Sequence, residues 1–323
     1  MKIAVTGGTG YVGAHTTLAL LADGHTVRLL VLPHESPDEV TLSAGAASAR
    51  IEVVVGDVRD PVTVERLLDG CDALMHGAGV VGTDDKREQL MWEVNTQATA
   101  AILIRAAFLG LDPIVHVASF SALFPSPDPV IGPDSPTAAG RSAYGRTKAA
   151  AVRVARALQD AGAPVVITYP TSVVGRGLGS ATGVTERGWH ALLSSGVAPR
   201  FTGGMQMIDV RDVADVHAAV MRPGRGPRRY VCGGELIEFN HLIDILEHSS
   251  RRRLRRVPLS GGVVRFLGRL ADAVGKHTAV SPGFSYEAAW LLTSATPTDD
   301  FRTRAELGLD WRPARDALAS TFA

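Results

Sequence analysis

The sequence predicts an α/β fold, a doubly wound parallel sheet with helices on both faces, followed by a smaller mixed lobe. Three observations support this prediction. Short, nearly continuous apolar runs alternate with longer helical patterns through the first half, which is typical of strands buried on both faces. A glycine-rich turn follows the first apolar run directly. After about Thr171 the segments become shorter and richer in Gly, Pro and Arg, which indicates a change of architecture.

Strands and helices alternate in chain order through the first half. The apolar runs predict strands at Lys2–Thr6, Thr26–Leu32, Ile51–Val55, Ala73–His76, Ile114–Ala118 and Val165–Tyr169. Helical spacing of apolar residues predicts helices near Tyr11–Asp23, Val62–Asp69, Asp85–Leu109 and Ala143–Ala161. Such alternation is typical of parallel strands joined by right-handed crossovers.

The second half predicts mainly helices. They lie near Val210–Met221, Phe239–Ser249, Val263–Val274 and Pro313–Phe322, the last with proline in its first turn. We divide the chain into residues 1–170 and a lobe of residues 171–323, some segments of which return to the first sheet. Because ligands of open α/β sheets bind beyond the carboxyl ends of the strands, we expect this lobe to cover that edge and shape a substrate pocket.

Composition excludes several classes of protein. Hydrophobic residues make up 46% of the chain, enough for a large core, and the formal net charge of zero argues against nucleic-acid binding. Cys71 and Cys232 lie far apart, outside any CxxC or His-rich pattern, so we expect no metal site and a reducing cytoplasmic setting. No signal-peptide pattern is visible, and no apolar run approaches the roughly 18 residues of a membrane span.

Two stretches have the character of surface segments. Residues 125–136 are rich in proline, and we interpret them as either a plain connector or a lid over the pocket. Residues 251–256 contain five arginines. A solvated helix end and edge strand is the simplest interpretation of that run, and a phosphate-bearing partner or an anionic membrane surface is the alternative.

The turn after the first strand has the spacing GxxGxxG, through Gly7, Gly10 and Gly13. Gly7 permits a tight turn, Gly10 lets the backbone approach a pyrophosphate, and Gly13 lets the helix pack close to the strand. The helix N-terminus offers free N–H groups to phosphate oxygens. An ordinary glycine-rich turn is the alternative, but the position between a strand and a helix predicts a dinucleotide-binding loop.

The end of the second strand normally selects the dinucleotide. An acidic side chain there binds the ribose hydroxyls of NAD, whereas an arginine accepts the 2′-phosphate of NADP. Residues 30–34 offer neither group, so NAD or NADP remains open, with NADP slightly favoured by the missing acid. After the third strand, Asp57 could accept a hydrogen bond from the adenine amino group. It could also cap the helix that begins near Pro61 or hold the turn.

Tyr144 and Lys148 stand four residues apart on a predicted helix, so their side chains share one face. A free phenol has a pKa of about 10, and a nearby ammonium favours the phenolate. Such a tyrosine can exchange a proton with a carbonyl or hydroxyl oxygen while hydride moves to or from a nicotinamide. The chain has only four lysines against 29 arginines, so a lysine here indicates a specific role for a compact ammonium. Two exposed helix neighbours would be the alternative interpretation.

A serine after the fifth strand is the third candidate catalytic group. The hydroxyl of Ser119 could hydrogen-bond the reacting oxygen and stabilise it in the transition state. Ser121 is the alternative donor, and both serines could simply begin the loop.

In combination, these residues resemble the extended short-chain dehydrogenase/reductase superfamily, the NAD-dependent epimerase/dehydratase family. Within it the chain looks most like the branch of dihydroflavonol reductases and 3β-hydroxysteroid dehydrogenases. The similar motifs include residues 6–13, 56–58, 76–79, 115–119, 169–175, 211–215 and 297–300, with Asn95 and the Tyr144/Lys148 pair. The resemblance covers essentially the whole chain and implies a Rossmann fold.

The resemblance also implies roles for further residues. The segment of Gly77, Ala78 and Gly79 would flank the adenine ribose, and Asn95 would brace the helix beside the active site. Pro170 and Val173 would pack near the nicotinamide. The full set of expected cofactor-binding residues is Gly7, Thr9, Gly10, Tyr11, Val12, Gly13, Asp57, Val58, Gly77, Ala78, Gly79, Asn95, Lys148, Pro170 and Val173.

The sequence thus predicts an NAD(P)-dependent oxidoreductase that interconverts a ketone and a secondary alcohol on an apolar small molecule, with Tyr144 as acid and base. A nucleotide-sugar epimerase or dehydratase that reduces NAD transiently is the first alternative. A non-catalytic dinucleotide sensor is the second, although it would need neither Tyr144 nor Lys148. Many members of the resembled family dimerise through two long helices, so we also expect a homodimer.

Overall fold

A computed structural model describes residues 1–82, 87–178, 183–275 and 284–322. The first-half strands are β1 Lys2–Thr6, β2 Thr26–Val31, β3 Ile51–Val55, β4 Ala73–His76, β5 Ile114–Val117 and β6 Val165–Pro170. The later strands are β7 Ser172–Val174, β8 Val197–Arg200, β9 Gly204–Asp209, β10 Arg228–Cys232, β11 Glu235–Glu238 and β12 Arg255–Pro258. The strands predicted from apolar runs therefore form, within one or two residues of the expected ends.

Seven of these strands form one parallel sheet in the order β10-β6-β5-β4-β1-β2-β3. β6 is buried along its whole length, as expected of a strand covered on both faces. The order reverses direction between β1 and β4, so the ends of these strands form the crevice at which open α/β sheets bind ligands. This topology confirms the predicted fold class.

Helices cover both faces of the main sheet. In the first half they are α1 Tyr11–Ala22, α2 Asp38–Ala44, α3 Pro61–Leu68, α4 Glu88–Met91, α5 Thr99–Phe108 and α6 Ala143–Asp160. In the second half they are α7 Val184–Ser195, α8 Val210–Ala219, α9 Phe239–Ser250, α10 Gly261–Gly275, α11 Tyr286–Ser294, α12 Phe301–Leu307 and α13 Ala314–Thr321. Pro313 precedes the last helix rather than lying in its first turn.

The prediction of one helix over Asp85–Leu109 was wrong in its interior. A seven-residue π-helical segment, Trp92–Ala98, separates α4 from α5. Apolar periodicity cannot distinguish an i→i+5 turn from an α-helical turn, whereas π turns occur frequently at functional sites. The first two residues of the predicted helix lie outside the described residues.

The smaller lobe contains two short sheets. One has the order β11-β9-β7, and the other pairs β12 with β8. An apolar cluster that includes Trp189, Phe201 and Phe239 lies beneath them, with the rings of Phe201 and Phe239 stacked at 4.3 Å. The proline-rich loop is fastened to the segment between α11 and α12, because Ile131 pairs with Thr298 in an isolated parallel bridge.

Contacts between the two halves are extensive. β10, from the second half, pairs with β6. The imidazole of buried His217 on α8 lies between the hydroxyls of Thr16 on α1, at 2.8 Å, and Thr168 on β6, at 3.1 Å. The boundary at residue 170 therefore divides the sequence, while the main sheet takes strands from both sides of it.

Candidate active site

The glycine-rich loop leads from the end of β1 into α1. Gly7 has a φ of +72°, and its carbonyl accepts a hydrogen bond from Gly10 N–H at 3.1 Å. A Cβ on Gly13 would lie 1.9 Å from the Gly7 carbonyl oxygen, so the first turn of α1 approaches the strand too closely for any side chain. A Cβ on Gly10 would meet only that same oxygen, at 3.3 Å, and the backbone there otherwise faces open space.

A second glycine-containing turn follows β4 and lies against the first. A Cβ on Gly7 would lie 2.7 Å from the Ala78 nitrogen. The hydroxyl of Thr6, at the end of β1, accepts a hydrogen bond from Ala78 N–H at 3.1 Å and pairs with His76 Nδ1 at 2.8 Å. A Cβ on Gly77 would be 3.2 Å from the Thr6 carbonyl oxygen. These contacts fix the two turns side by side at the carboxyl ends of β1 and β4.

Helix α6 carries the predicted tyrosine and lysine. Ser142 caps this helix by accepting a hydrogen bond from Gly145 N–H at 3.0 Å. Lys148 is buried, its Nζ lies 6.0 Å from the centre of the Tyr144 ring, and it donates to the Val117 carbonyl at 3.2 Å. Because Val117 ends β5, this bond holds the ammonium at the carboxyl edge of the main sheet.

Ser119 lies beside Tyr144 in the structure. The two side chains share a hydrogen bond, which lowers the pKa of the phenol, although burial has the larger effect and raises that pKa above its usual value. The Ser119 oxygen also accepts a hydrogen bond from Ser121 N–H at 3.2 Å. Of the two serines considered, the structure therefore brings Ser119 to the tyrosine. The expectation that a nearby ammonium favours the phenolate stays a prediction.

Lys148 lies in a buried environment that favours its neutral form without removing its charge at neutral pH. Burial lowers the pKa of Lys148 to about 8. Two imidazoles, those of His76 and His116, stack behind it with ring centres 5.8 Å apart. Burial, together with the Lys148 charge, lowers the pKa of His76 to about 3, so these rings are neutral at physiological pH.

Asn95 links the second turn to α6 from within the π-helical segment. Its amide accepts a hydrogen bond from Val80 N–H at 2.7 Å and donates to the Val80 carbonyl at 2.9 Å. The same amide nitrogen donates to the Thr147 hydroxyl at 3.2 Å. A Cβ on Gly79 would lie 3.2 Å from Asn95 Oδ1 and 3.4 Å from Lys148 Nζ. Asn95 thus braces the turn against the helix that carries Tyr144.

Four other expected cofactor residues lie at the ends of the neighbouring elements. The Tyr11 hydroxyl donates to the Gly175 carbonyl at 2.7 Å, which connects α1 to the segment after β7. Val12 packs against the core beneath the glycine loop. Pro170 is the buried last residue of β6, and Val173 lies within β7.

Asp57 holds a turn rather than capping a helix. Its carboxylate accepts hydrogen bonds from the Arg59 backbone N–H at 2.9 Å and from the Arg59 guanidinium, which lowers the pKa of the carboxyl. The cap of α3 is Asp60, which accepts from Val62 and Thr63 N–H groups. Val58, next to Asp57, is buried.

Glu35 is a candidate cofactor residue that was missed, one position beyond the segment in which an acid was sought. Its carboxylate accepts a hydrogen bond from the Thr9 hydroxyl in the glycine loop at 3.0 Å. A turn in which Glu35 N–H donates to the Leu32 carbonyl at 2.9 Å carries the chain back towards that loop. The turn signal of Pro33, after the strand, could have extended the search by two residues.

A largely apolar pocket opens between the main sheet and the smaller lobe. Its lining residues are Phe120, Phe124, Thr171, Ser172, Gly204, Met205, Gln206, Leu291 and Thr296. Gln206 is 91% buried, and its amide nitrogen donates to Thr298 at 2.7 Å, while Oε1 has no partner among the described residues. A buried acceptor in an apolar pocket orients a ligand through that ligand's donor group. Phe120 is adjacent in sequence to Ser119, which places the pocket beside the tyrosine.

The residues at the sheet edge fit a dinucleotide. Two turns pack so closely that side chains are excluded at Gly7 and Gly13, and the N-terminus of α1 faces open space at Gly10. Free N–H groups at a helix N-terminus suit a pyrophosphate. Among the described ranges no group of three or more His, Cys, Asp or Glu residues could hold a metal ion. Within the same ranges no helix is long and apolar enough to cross a membrane.

Known proteins resemble this chain in sequence. Sterol demethylase protein B of Methylococcus capsulatus is 28% identical over 100% of this chain and 98% of that protein. A putative dihydroflavonol 4-reductase of Synechocystis sp. is 31% identical over 74% of this chain and 69% of that protein.

Solved structures resemble it in fold. UDP-glucose 4-epimerase from Bifidobacterium longum, in complex with NAD+ and UDP, has a TM-score of 0.75 at 19% identity, over 100% of this chain and 97% of that chain. A family model described as the NAD-dependent epimerase/dehydratase family matches residues 3–233, which include both glycine turns, Ser119, Tyr144 and Lys148. The predicted family is confirmed: this chain belongs to the NAD-dependent epimerase/dehydratase family.

Proposed function

We propose that the protein is an NAD-dependent oxidoreductase that interconverts a ketone and a secondary alcohol on a small apolar substrate. The observation that carries this proposal is the contact of Ser119 with Tyr144, on the same helix as buried Lys148 and beside the dinucleotide turns. A dinucleotide sensor without chemistry would need no buried lysine at this position, since burying an ammonium is unfavourable.

Each polar group of the site has a distinct role in this proposal. When bound, the reduced cofactor NADH would supply the hydride for reduction, and NAD+ would accept it in oxidation. The Tyr144 hydroxyl donates its proton to the substrate oxygen during reduction and removes it during oxidation. Ser119 donates a hydrogen bond to that oxygen as its charge develops. Lys148, held by the Val117 carbonyl, orients the cofactor ribose and favours the tyrosinate when its amine is protonated.

We further propose that NAD rather than NADP is the cofactor. The Glu35 carboxylate beside Thr9 offers an acceptor for ribose hydroxyls and repels a 2′-phosphate. This replaces the slight preference for NADP drawn from the sequence. The remaining expected cofactor residues retain their proposed roles around the two glycine turns.

The pocket supports an apolar substrate. Four of its nine lining residues, Phe120, Phe124, Met205 and Leu291, carry large apolar side chains. The sterol demethylase protein B and the putative dihydroflavonol 4-reductase carry names that fit a largely apolar substrate. A nucleotide-sugar epimerase would bind a diphosphate, for which this lining offers no cation among the described residues.

Substitution of the serines and the tyrosine tests the proposed chemistry. Tyr144→Phe should lower kcat by about 100-fold or more, because no other group donates the proton, and Ser119→Ala by about 100-fold. Ser121→Ala is the matched control and should retain activity. The assay follows nicotinamide absorbance with a panel of apolar ketones and secondary alcohols, and thermal unfolding checks that each variant folds. Full activity of Tyr144→Phe would contradict the proposal, and tightly bound NAD with no turnover of the panel would favour an epimerase.

We also propose a homodimer formed through α5 and α6. Ile104 and Phe108 on α5 are 52% and 79% exposed, an apolar face without evident use in a monomer. Sedimentation velocity should give twice the 34.0 kDa chain mass. A monomer at micromolar concentrations would contradict this proposal.

A further inference from the structure

Helix α10 exposes an apolar face that the proposed chemistry does not use. Val263, Phe266, Leu267 and Leu270 are 42%, 62%, 41% and 51% exposed. Their spacing of three, one and three residues places them on one side of the helix. The opposite side packs on α11, because Val264 is buried and a Cβ on Gly268 would lie 2.9 Å from the Ser285 carbonyl oxygen. The exposed face is therefore separate from the contact that holds the helix.

Positive charge is concentrated around the same helix. Residues 251–275 contain seven arginines and a single acidic residue, Asp272, whereas the rest of the chain has an excess of six acidic residues. Arg251, Arg252 and Arg253 are exposed and precede α10 by one short strand, β12. Arg265 and Arg269 lie on α10 itself, where their guanidinium groups contact Trp290 and Tyr286 of α11. The run of arginines singled out in the sequence thus borders an exposed apolar helix.

From this juxtaposition we propose that α10 and residues 251–255 dock the protein on an anionic lipid bilayer surface. An amphipathic helix lies in the interface of a bilayer when it combines an apolar face with neighbouring basic residues. Exposed arginines attract acidic headgroups, and Arg251, Arg252 and Arg253 precede α10 by only one short strand. Apolar side chains of the helix then enter the boundary between headgroups and acyl chains.

A second copy of this chain fits the same face poorly. A symmetric contact through α10 would bring two arginine-rich segments together, and like charges oppose association. Four partly exposed side chains also offer much less than the roughly 800 Å² per partner of a stable protein interface. An anionic surface, in contrast, complements both the charge and the small apolar area.

The docking face lies one helix away from the substrate pocket. α10 packs on α11, and Leu291 of α11 lines that pocket. A bilayer bound at α10 would therefore lie close to the pocket, which suits an apolar substrate that partitions into lipid. This last step rests on the proposed function, whereas the docking itself does not.

Vesicle co-sedimentation of the full chain tests the docking. The wild-type chain should bind vesicles of phosphatidylcholine with one-third phosphatidylglycerol, bind pure phosphatidylcholine weakly, and dissociate at high salt. The double variant Phe266→Gln/Leu270→Gln should reduce the partition coefficient at least about tenfold. Phe301→Gln is the matched control, since Phe301 is 75% exposed on α12, and it should bind as the wild type does.

Three results would overturn the proposal. They are no binding of the wild-type chain to the anionic vesicles, a loss of vesicle binding in Phe301→Gln as large as that in the double variant, and unchanged binding of the double variant. Sedimentation velocity provides a further test, because a lower assembly mass for the double variant would identify α10 as a contact between chains. Turnover of a water-soluble ketone by the double variant separates docking from chemistry. The double variant should turn over this ketone at the wild-type rate. If the wild-type chain itself does not turn over the ketone, that result counts against the proposed function alone.

Discussion

At the scale of the residue, the proposed choice of NAD depends on one exposed side chain, Glu35. Its carboxylate lies within hydrogen-bonding distance of Thr9 in the glycine loop, although three residues separate it from the end of β2. A hydrogen bond to a charged group contributes about 1.5–3 kcal/mol, and about 1.4 kcal/mol corresponds to a tenfold change in affinity. The replacement of this single group should therefore be measurable.

Glu35→Gln should lower the ratio of kcat/KM with NAD to kcat/KM with NADP by about tenfold or more. The amide removes the charge that repels a 2′-phosphate and weakens the acceptor for ribose hydroxyls. Initial rates with both cofactors measure the ratio. Glu39→Gln removes the same charge from the first turn of α2 and serves as the control. An unchanged ratio in Glu35→Gln would show that another residue selects the cofactor.

The site residues divide into those that local sequence can reveal and those that only the fold brings together. Gly7, Gly10 and Gly13, and the Tyr144/Lys148 pair, have fixed spacings within one turn or one helix, so the chain order alone predicts them. Glu35 and Gln206 could not be predicted in this way. Each acquires its position from a loop or strand whose direction depends on distant contacts, Thr9 in one case and Thr298 in the other.

At the scale of elements, a stack of three side chains fastens α10 and α11 to the loop before α6. The indole of Trp290 lies between two guanidinium groups, with Arg141 3.8 Å and Arg265 4.6 Å from the ring centre. Cation–π contacts contribute about 0.5–2 kcal/mol each. Because Arg141 precedes Tyr144 by three residues, this stack couples the outer helices to α6.

Trp290→Leu should loosen these helices without unfolding the sheet. Loss of both cation–π contacts lowers the free energy needed to open α11 locally by about 1–3 kcal/mol. Hydrogen exchange of α10 and α11 amides should become about tenfold faster, while β1, β4 and β5 amides exchange as before. Trp290→Phe keeps an aromatic face and should show a smaller effect. Unchanged exchange in Trp290→Leu would mean that packing alone holds the helix.

Element types were easier to predict than element interiors. The strand runs are short, apolar and bounded by turn residues, so strands such as β1 and β3 have the predicted ends. The π-helical segment was missed because the wider turn depends on what Asn95 binds, namely Val80 and Thr147, and not on apolar spacing. A local pattern carries no information about those partners.

At the scale of the whole molecule, three buried histidines tie stability to pH. His76, His116 and His217 are fully enclosed by the main sheet and its helices, and burial lowers each pKa below its usual value, to about 3 for His76 and His217. The unfolded chain binds protons at a pKa of about 6.5, so it binds more protons than the folded chain at acid pH. The folded state should therefore lose stability as the pH falls from about 6.5 towards 3.

Each of these histidines should contribute a slope of up to about 1.4 kcal/mol per pH unit to the free energy of unfolding. Urea unfolding at several pH values between neutral and mildly acid conditions measures the slope. His217→Gln keeps hydrogen-bonding groups for Thr16 and Thr168 and removes one titrating site. The slope of its unfolding free energy against pH should therefore be smaller by up to about 1.4 kcal/mol per pH unit, which corresponds to one proton fewer bound on unfolding. Identical slopes for the variant and the wild type would contradict a neutral, buried His217.

The pairing of β10 with β6 has a consequence for synthesis of the chain. Until residues 228–232 leave the ribosome, β6 remains an open edge whose apolar side chains lack their final cover. About sixty further residues must be synthesised before β10 is available, which takes about 3–12 seconds at about 5–20 residues per second. During that time β6 has an unpaired edge that can pair with the wrong strand. Gene fusions or truncations that end near residue 170 would make this transient exposure permanent, and aggregation rather than an independent cofactor-binding module would be the expected product.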